Sequence, residues 1–192
     1  WFSRATSYAS IPTYYEQMYG MEPHQRGYLS SYQQVIGFVV MSALVNPILK
    51  LSGGERQAAT VAALSLATAT FLEIQGSFPL FLAVLCPIIA LSTSLIRLSL
   101  SSLVTQVAPK ESLGSVLAAL DVLQNAMAVT VPFYRTFLFA VLANRQDNLD
   151  GNDRMEGDPD PKSWLLVSAT HWVVAGLLIG LLLLPMSKSV VK

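Results

Sequence analysis

Residues 78–142 read FPLFLAVLCPIIALSTSLIRLSLSSLVTQVAPKESLGSVLAALDVLQNAMAVTVPFYRTFLFAVL. Two long apolar segments, 78–107 and 113–142, meet at a short polar link, Ala108–Gly114. A helix that spans a bilayer needs about 20 predominantly apolar residues, and each segment exceeds that. Each also carries a charge deep inside it, Arg97 in the first and Asp121 in the second. They lie at equal distances on either side of Pro109, so on adjacent antiparallel helices they share a depth. A charge at mid-bilayer costs roughly 2.5–3.5 kcal/mol on insertion scales and therefore turns to a partner or a water-filled cavity. The pair marks a candidate site before any other residue is considered.

The rest of the chain agrees with a membrane setting. Hydrophobic residues make up 53% of the 192 residues and charged residues only 12%. A soluble domain carries about 25% charged residues. Mean hydropathy is +0.49. The formal net charge is zero, which gives no electrostatic reason to expect a nucleic-acid partner. A single cysteine, Cys86, excludes a disulfide within the chain. The first residue is Trp rather than Met, and no basic region with a cleavage site follows, so the chain is expected to begin inside a longer protein.

Working outward, six segments are expected to cross the membrane: 1–20, 26–49, 57–76, 78–107, 113–142 and 164–185. The fold class is all-α, a six-helix membrane bundle. Lys50, Arg56, Lys110, Lys188 and Lys192 fall on one side. The other side holds the loop Asn144–Ser163, where six acids outnumber Arg145, Arg154 and Lys162. Positive loops stay in the cytoplasm, so both ends of this chain are expected to be cytoplasmic, with the acidic loop solvated, flexible and outside.

Two local patterns resemble ligand motifs and fail on context. Counted from Asp150 as a calcium loop, position six is Met155 rather than Gly and position twelve is Pro161 rather than Glu. Leu51-Ser52-Gly53-Gly54-Glu55-Arg56-Gln57 resembles the signature sequence of ATP-binding cassette ATPases, but it lies between two apolar segments. No G-x-x-x-x-G-K-[ST] loop accompanies it, so ATP binding is not expected. The stretch reads as a tight turn in which Gly53-Gly54 supply unusual dihedrals and Arg56 meets the cytoplasmic interface.

Several motifs in order resemble one family. Tyr14-Tyr15 through Gly20, then Gln25-x-Gly27-Tyr28, are similar to the end of a seventh helix and the start of an eighth. Pro47 through Gly54-Glu55-Arg56 resembles the second-half copy of a cytoplasmic loop between helices eight and nine. Ala108-Pro109-Lys110-Glu111-x-x-Gly114 resembles the link between helices ten and eleven, and Pro132 sits where the eleventh helix bends. Together they resemble the C-terminal half of a major facilitator superfamily carrier, in the branch of tetracycline-resistance-type drug/proton antiporters and organic cation transporter-like carriers. Phe133-Tyr134-Arg135 departs from the small residues expected after that proline, so substrate type does not carry over. The resemblance implies a missing N-terminal six-helix half, a small organic solute and coupling to an ion gradient, proton first. It implies no cofactor and no metal.

The polar residues fit that picture. Asp121, Gln124, Asn125, Ala128, Pro132 and Arg135 recur at helical spacing on one face, and Ser94, Arg97, Ser101 and Thr105 form a second stripe. Lipid would penalise both, so they should face an interior. Arg97 and Asp121 are the expected gating or coupling residues; Gln34, Ser94, Ser101, Gln124 and Asn125 are expected along the substrate path. An outer contact between Glu16 and Arg135 would alternate with the inner pair. In the family helix nine is peripheral, so Glu73 is expected to snorkel to the interface. Tyr14, Tyr15 and Tyr28 read as an interfacial aromatic belt, Tyr8 and Tyr32 belong to the same cluster, and His171 reads as a packed, hydrogen-bonded histidine. No H-E-x-x-H, G-x-S-x-G or metal-ligand cluster is present, so an enzyme is not expected. The rival class is a non-transporting six-helix interaction or sensing subunit.

Overall fold

Glycine and proline punctuate the chain at the helix boundaries. The computed structural model describes residues 14–150 and 161–182. These form six helices: α1 (Tyr14–Tyr19), α2 (Pro23–Leu51), α3 (Glu55–Glu73), α4 (Phe78–Val107), α5 (Leu113–Asp150) and α6 (Pro161–Leu182). A single 3₁₀ turn, Lys110–Ser112, joins α4 to α5. No strand occurs among the described residues. Four stretches, Pro23–Leu51, Phe78–Val107, Leu113–Leu142 and Lys162–Leu181, are long and apolar enough to cross a membrane. That composition marks a membrane protein.

The differences from the expected segments have local causes. Helix α2 starts at Pro23, not 26, because Pro at the first helical position lacks only an N–H that would have no partner. Glu22 and Gln25 close a reciprocal capping box ahead of it, with the Glu22 N–H donating to Gln25 Oε1 at 3.0 Å. Helix α5 runs on to Asp150, into the stretch expected as an acidic loop, because no proline or glycine interrupts residues 133–150. Of the first expected segment, only α1 lies within the described residues.

Helix α3 is the packing hub. It lies between α4 and α6 and buries Ala58, Ala59, Ala62, Ala63, Leu66, Ala67, Ala69, Thr70 and Glu73. It is not among the four spans, because Glu55, Arg56 and Gln57 at one end and Glu73 at the other lower its hydropathy. Its alanines let neighbouring backbones approach, which drives association where lipid removes the hydrophobic incentive. A Cβ on Gly176 of α6 would lie 3.2 Å from Leu64 Cδ2 and 3.4 Å from Ala63 Cβ. On the other flank, Ser92, Leu95 and Ser99 of α4 are buried. The serine face of α4 that packs is therefore a different one from the stripe at Ser94, Arg97 and Ser101.

Two spans carry π-helical turns, Val40–Leu44 in α2 and Phe81–Leu85 in α4. Each precedes a proline, Pro47 or Pro87. Proline supplies no N–H and its ring crowds the carbonyl four residues back, so the helix widens there. In α4 the Cys86 N–H turns to the Phe81 carbonyl. Pro87 has no N–H for the Leu82 carbonyl, and the Tyr32 hydroxyl donates to that oxygen from α2 at 3.0 Å. A side chain from a neighbouring helix thus satisfies a backbone group that lipid could not.

Candidate functional site

The uncovered polar face lies on α5. Asp121, Gln124, Asn125, Ala128 and Pro132 are all exposed, and the apolar Leu117, Val122, Leu123 and Val129 between them are exposed too. Among the described residues, helix α5 is held only from its middle onward. The Tyr134 hydroxyl lies 2.6 Å from His171 Nε2, and Phe139 stacks on Trp164 at 4.7 Å. His171 Nδ1 lies 2.7 Å from the Val167 carbonyl. A carbonyl can only accept, so Nδ1 carries the proton and Nε2 accepts from Tyr134. His171 is thus packed and hydrogen-bonded, as its type and position suggest.

The stripe on α4 is less uniform. Arg97, Ser101 and Thr105 are exposed, and Ser94 is half-buried. Arg97 and Asp121 are not joined by an ion pair among the described residues. Glu16 lies beside Arg26 at 3.8 Å, and the structure does not bring it to Arg135, which is half-buried on α5. On α2, Gln34 is exposed, while Gln33 faces Tyr15 and Cys86. Of the two neighbouring glutamines it is therefore Gln33 that points into the bundle.

Two polar clusters escaped the sequence reading. At the Gly54 end of α3, Glu55 accepts from the Ser102 hydroxyl at 2.6 Å and from Gln106 Nε2 at 2.9 and 2.8 Å. The neighbouring Arg56 donates to the Gly180 carbonyl of α6. Adjacent residues of opposite charge thus tie α3 to α4 on one side and to α6 on the other. The turn at Gly53 (φ 74°) and Gly54 (φ 134°) has the expected dihedrals. A Cβ on Gly53 would fall 2.5 Å from Gln57 Oε1. Arg56 thus reaches the backbone of α6 from the glycine-rich turn.

The second cluster lies at the other end of α3. Glu73 is only 1% exposed. Its Oε1 accepts from the Tyr14 hydroxyl at 2.9 Å and the Tyr19 hydroxyl at 3.1 Å. Glu73 therefore does not snorkel: the tyrosines of α1 reach it and enclose it. Tyr14 and Tyr15 are buried with it, whereas only Tyr28 keeps the exposure of a belt residue, at 74%. Tyr8 lies outside the described residues. Tyr15 and Tyr19 pack on Phe81 with ring centres 6.1 and 5.2 Å apart, and Tyr19 on Phe78 at 5.6 Å. No pattern within α1 pairs Tyr14 with Tyr19, since five residues is off the three-or-four spacing of a helix face.

No group of three or more His, Cys, Asp or Glu side chains that could hold a metal ion occurs among the described residues. No family model, curated protein or solved structure matches the chain.

Proposed function

We propose that this chain is one six-helix half of a secondary active transporter that moves a small organic solute by alternating access, with proton as the coupling ion and antiport as the mode. The supporting observation is the open face of α5. Asp121, Gln124 and Asn125 stand exposed on a helix apolar enough to span a bilayer. Lipid contact would penalise all three, so protein or water must cover them. The reading adds α3 and the segment 1–20 to the four spans and gives the chain the arrangement of the C-terminal half of a major facilitator carrier. Both ends of the chain would then be cytoplasmic, and a second six-helix half would face α5. The solute path would lie near the midplane between the halves, as in carriers built from repeats. Arg97 and Asp121 would gate or couple on one side of the site, Glu16 and Arg135 on the other. Gln34, Ser94, Ser101, Gln124 and Asn125 would line the path.

Thiol accessibility tests this reading. The native Cys86 is buried. Single cysteines at Gln124 and Asn125 should react with a water-soluble, membrane-impermeant maleimide, and Leu123→Cys and Phe137→Cys on the far side of α5 should not. Equal labelling on both faces, or none on either, would remove the aqueous path. The non-transporting subunit would then be the better description.

A further inference from the structure

Arg97 on α4 and Asp121 on α5 are exposed, and neither has an ion pair or side-chain hydrogen bond among the described residues. Lipid penalises a charge at mid-bilayer, so each must meet a partner or water. Each lies twelve residues from Pro109. That is about 18 Å along a helix, so the two share a depth. Among the described residues, α4 and α5 scarcely touch beyond the 3₁₀ turn, so the two charges are not closed into a pair within one chain. Around Asp121 the uncovered face narrows to a seam. Gly114, Ala118, Asp121, Asn125, Ala128 and Pro132 follow at alternating steps of four and three, and all are exposed. This is the period of a helix that packs lengthwise on another, and the small side chains admit a close neighbour.

We propose that a second copy of this chain covers the seam. The argument is charge complementarity. A partner that covers both helices must set an anion against Arg97 and a cation against Asp121, at one depth. This chain presents both. Identical copies insert in the same orientation, so a two-fold axis between them runs along the membrane normal and preserves every depth. About that axis, α5 of each copy lies on α4 of the other. Arg97 then meets Asp121 of the other copy twice, once in each direction, and the contact closes at two copies. Ser94 and Gln124, each fifteen residues from Pro109, face one another across the same interface. The inference deepens the transport reading and rests on it for the use of the interface: the second half that faces α5 is another copy of the same chain, and the solute path lies between the two.

Energy transfer between donor- and acceptor-tagged copies, reconstituted together in phosphatidylcholine vesicles at high dilution, tests it. Wild-type copies should transfer. Arg97→Asp alone and Asp121→Arg alone set like charges together and should weaken association about thirtyfold or more. Mixing the two variants should restore it, because every contact between unlike copies again joins opposite charges. Neither side chain has a polar partner in its own copy among the described residues, so charge reversal leaves the fold of one copy in place. No transfer between wild-type copies would overturn the proposal and leave a different chain to cover α5. A mixture no better than either variant alone would overturn it too, since the pair would then close within one chain. Should a variant fail to fold, cross-linking decides. Copies carrying Ser94→Cys should join copies carrying Gln124→Cys through a short bis-maleimide faster than like copies join each other, and equal or absent yields overturn the proposal. Thiol labelling separates this inference from the transport reading. Single copies whose Gln124→Cys still labels keep the aqueous path and lose the second copy; paired copies whose Gln124→Cys stays unlabelled keep the second copy and lose the path.

Discussion

Helices α3 and α5 differ in opposite senses from what their hydropathy suggests. Helix α5 is apolar enough to span a membrane, yet residues 113–130 touch almost nothing else among the described residues. Helix α3 falls short of that apolarity and is the most enclosed helix of the bundle. Hydropathy measures what a helix can show to lipid. Small residues measure how closely another helix can approach. A hub covered on several sides needs the second property and gains little from the first.

Substitutions that swap those properties should break the contrast. The largest effect is expected at Ala63→Leu, whose methyl is fully buried between helices and already close to Gly176. Overpacking of this kind costs about 1–3 kcal/mol, read as an earlier midpoint when SDS unfolds the protein in mixed micelles. The matching Ala128→Leu on α5 should leave that midpoint in place. If the two shifts were equal, α5 would be packed as tightly as α3.

Next in size is Glu55→Ala. It leaves Ser102 and Gln106 without their shared acceptor and removes an acid from the first turn of α3. Because the group is partly exposed, a loss of about 1–2 kcal/mol is expected in the same unfolding assay. Gln106→Ala on its own should cost less, since Ser102 still holds the carboxylate.

A smaller change is expected at the junction between the two regimes. Tyr134→Phe removes the bond to His171, a contact by which α6 holds α5, for about 0.5–1.5 kcal/mol. A cross-link between cysteines placed at Phe139 and Trp164 should report the same loosening as a slower disulfide yield. Least of all should be Asp121→Asn, an exposed side chain on the uncovered face, within about 0.5 kcal/mol of wild type. Under the transport reading this variant keeps its fold and loses ion-coupled flux. A large stability loss instead would show that Asp121 is a packing residue.

Much of the architecture was legible in the residues themselves. Run lengths of apolar residues located the helices, since backbone groups in lipid must bond within their own segment. Gly53-Gly54 announced a turn. The prolines at 47 and 87 held a signal that went unread: each widens its helix into a π turn, and Tyr32 completes the hydrogen bonding of one of them. The stripe on α5 was also readable, because a period of three and four is a property of one helix alone.

Who covers each face was not written in any single segment. Gln33 and Gln34 are neighbours of one residue type, and only the position of Tyr15 and Cys86 distinguishes them. Glu73 was expected to snorkel from a helix that is peripheral in the family it resembles, yet tyrosines more than fifty residues earlier enclose it. The membrane class and the faces on which polar groups recur were legible in the residues, because these follow from local composition and helical period; six spans were expected, and four of the described helices are long and apolar enough to cross. The tertiary structure alone decided that α3 is the hub, that α5 stands open and that a carboxylate lies buried. Those depend on the shapes of side chains brought together from distant parts of the chain, and no periodicity within a helix encodes its neighbours.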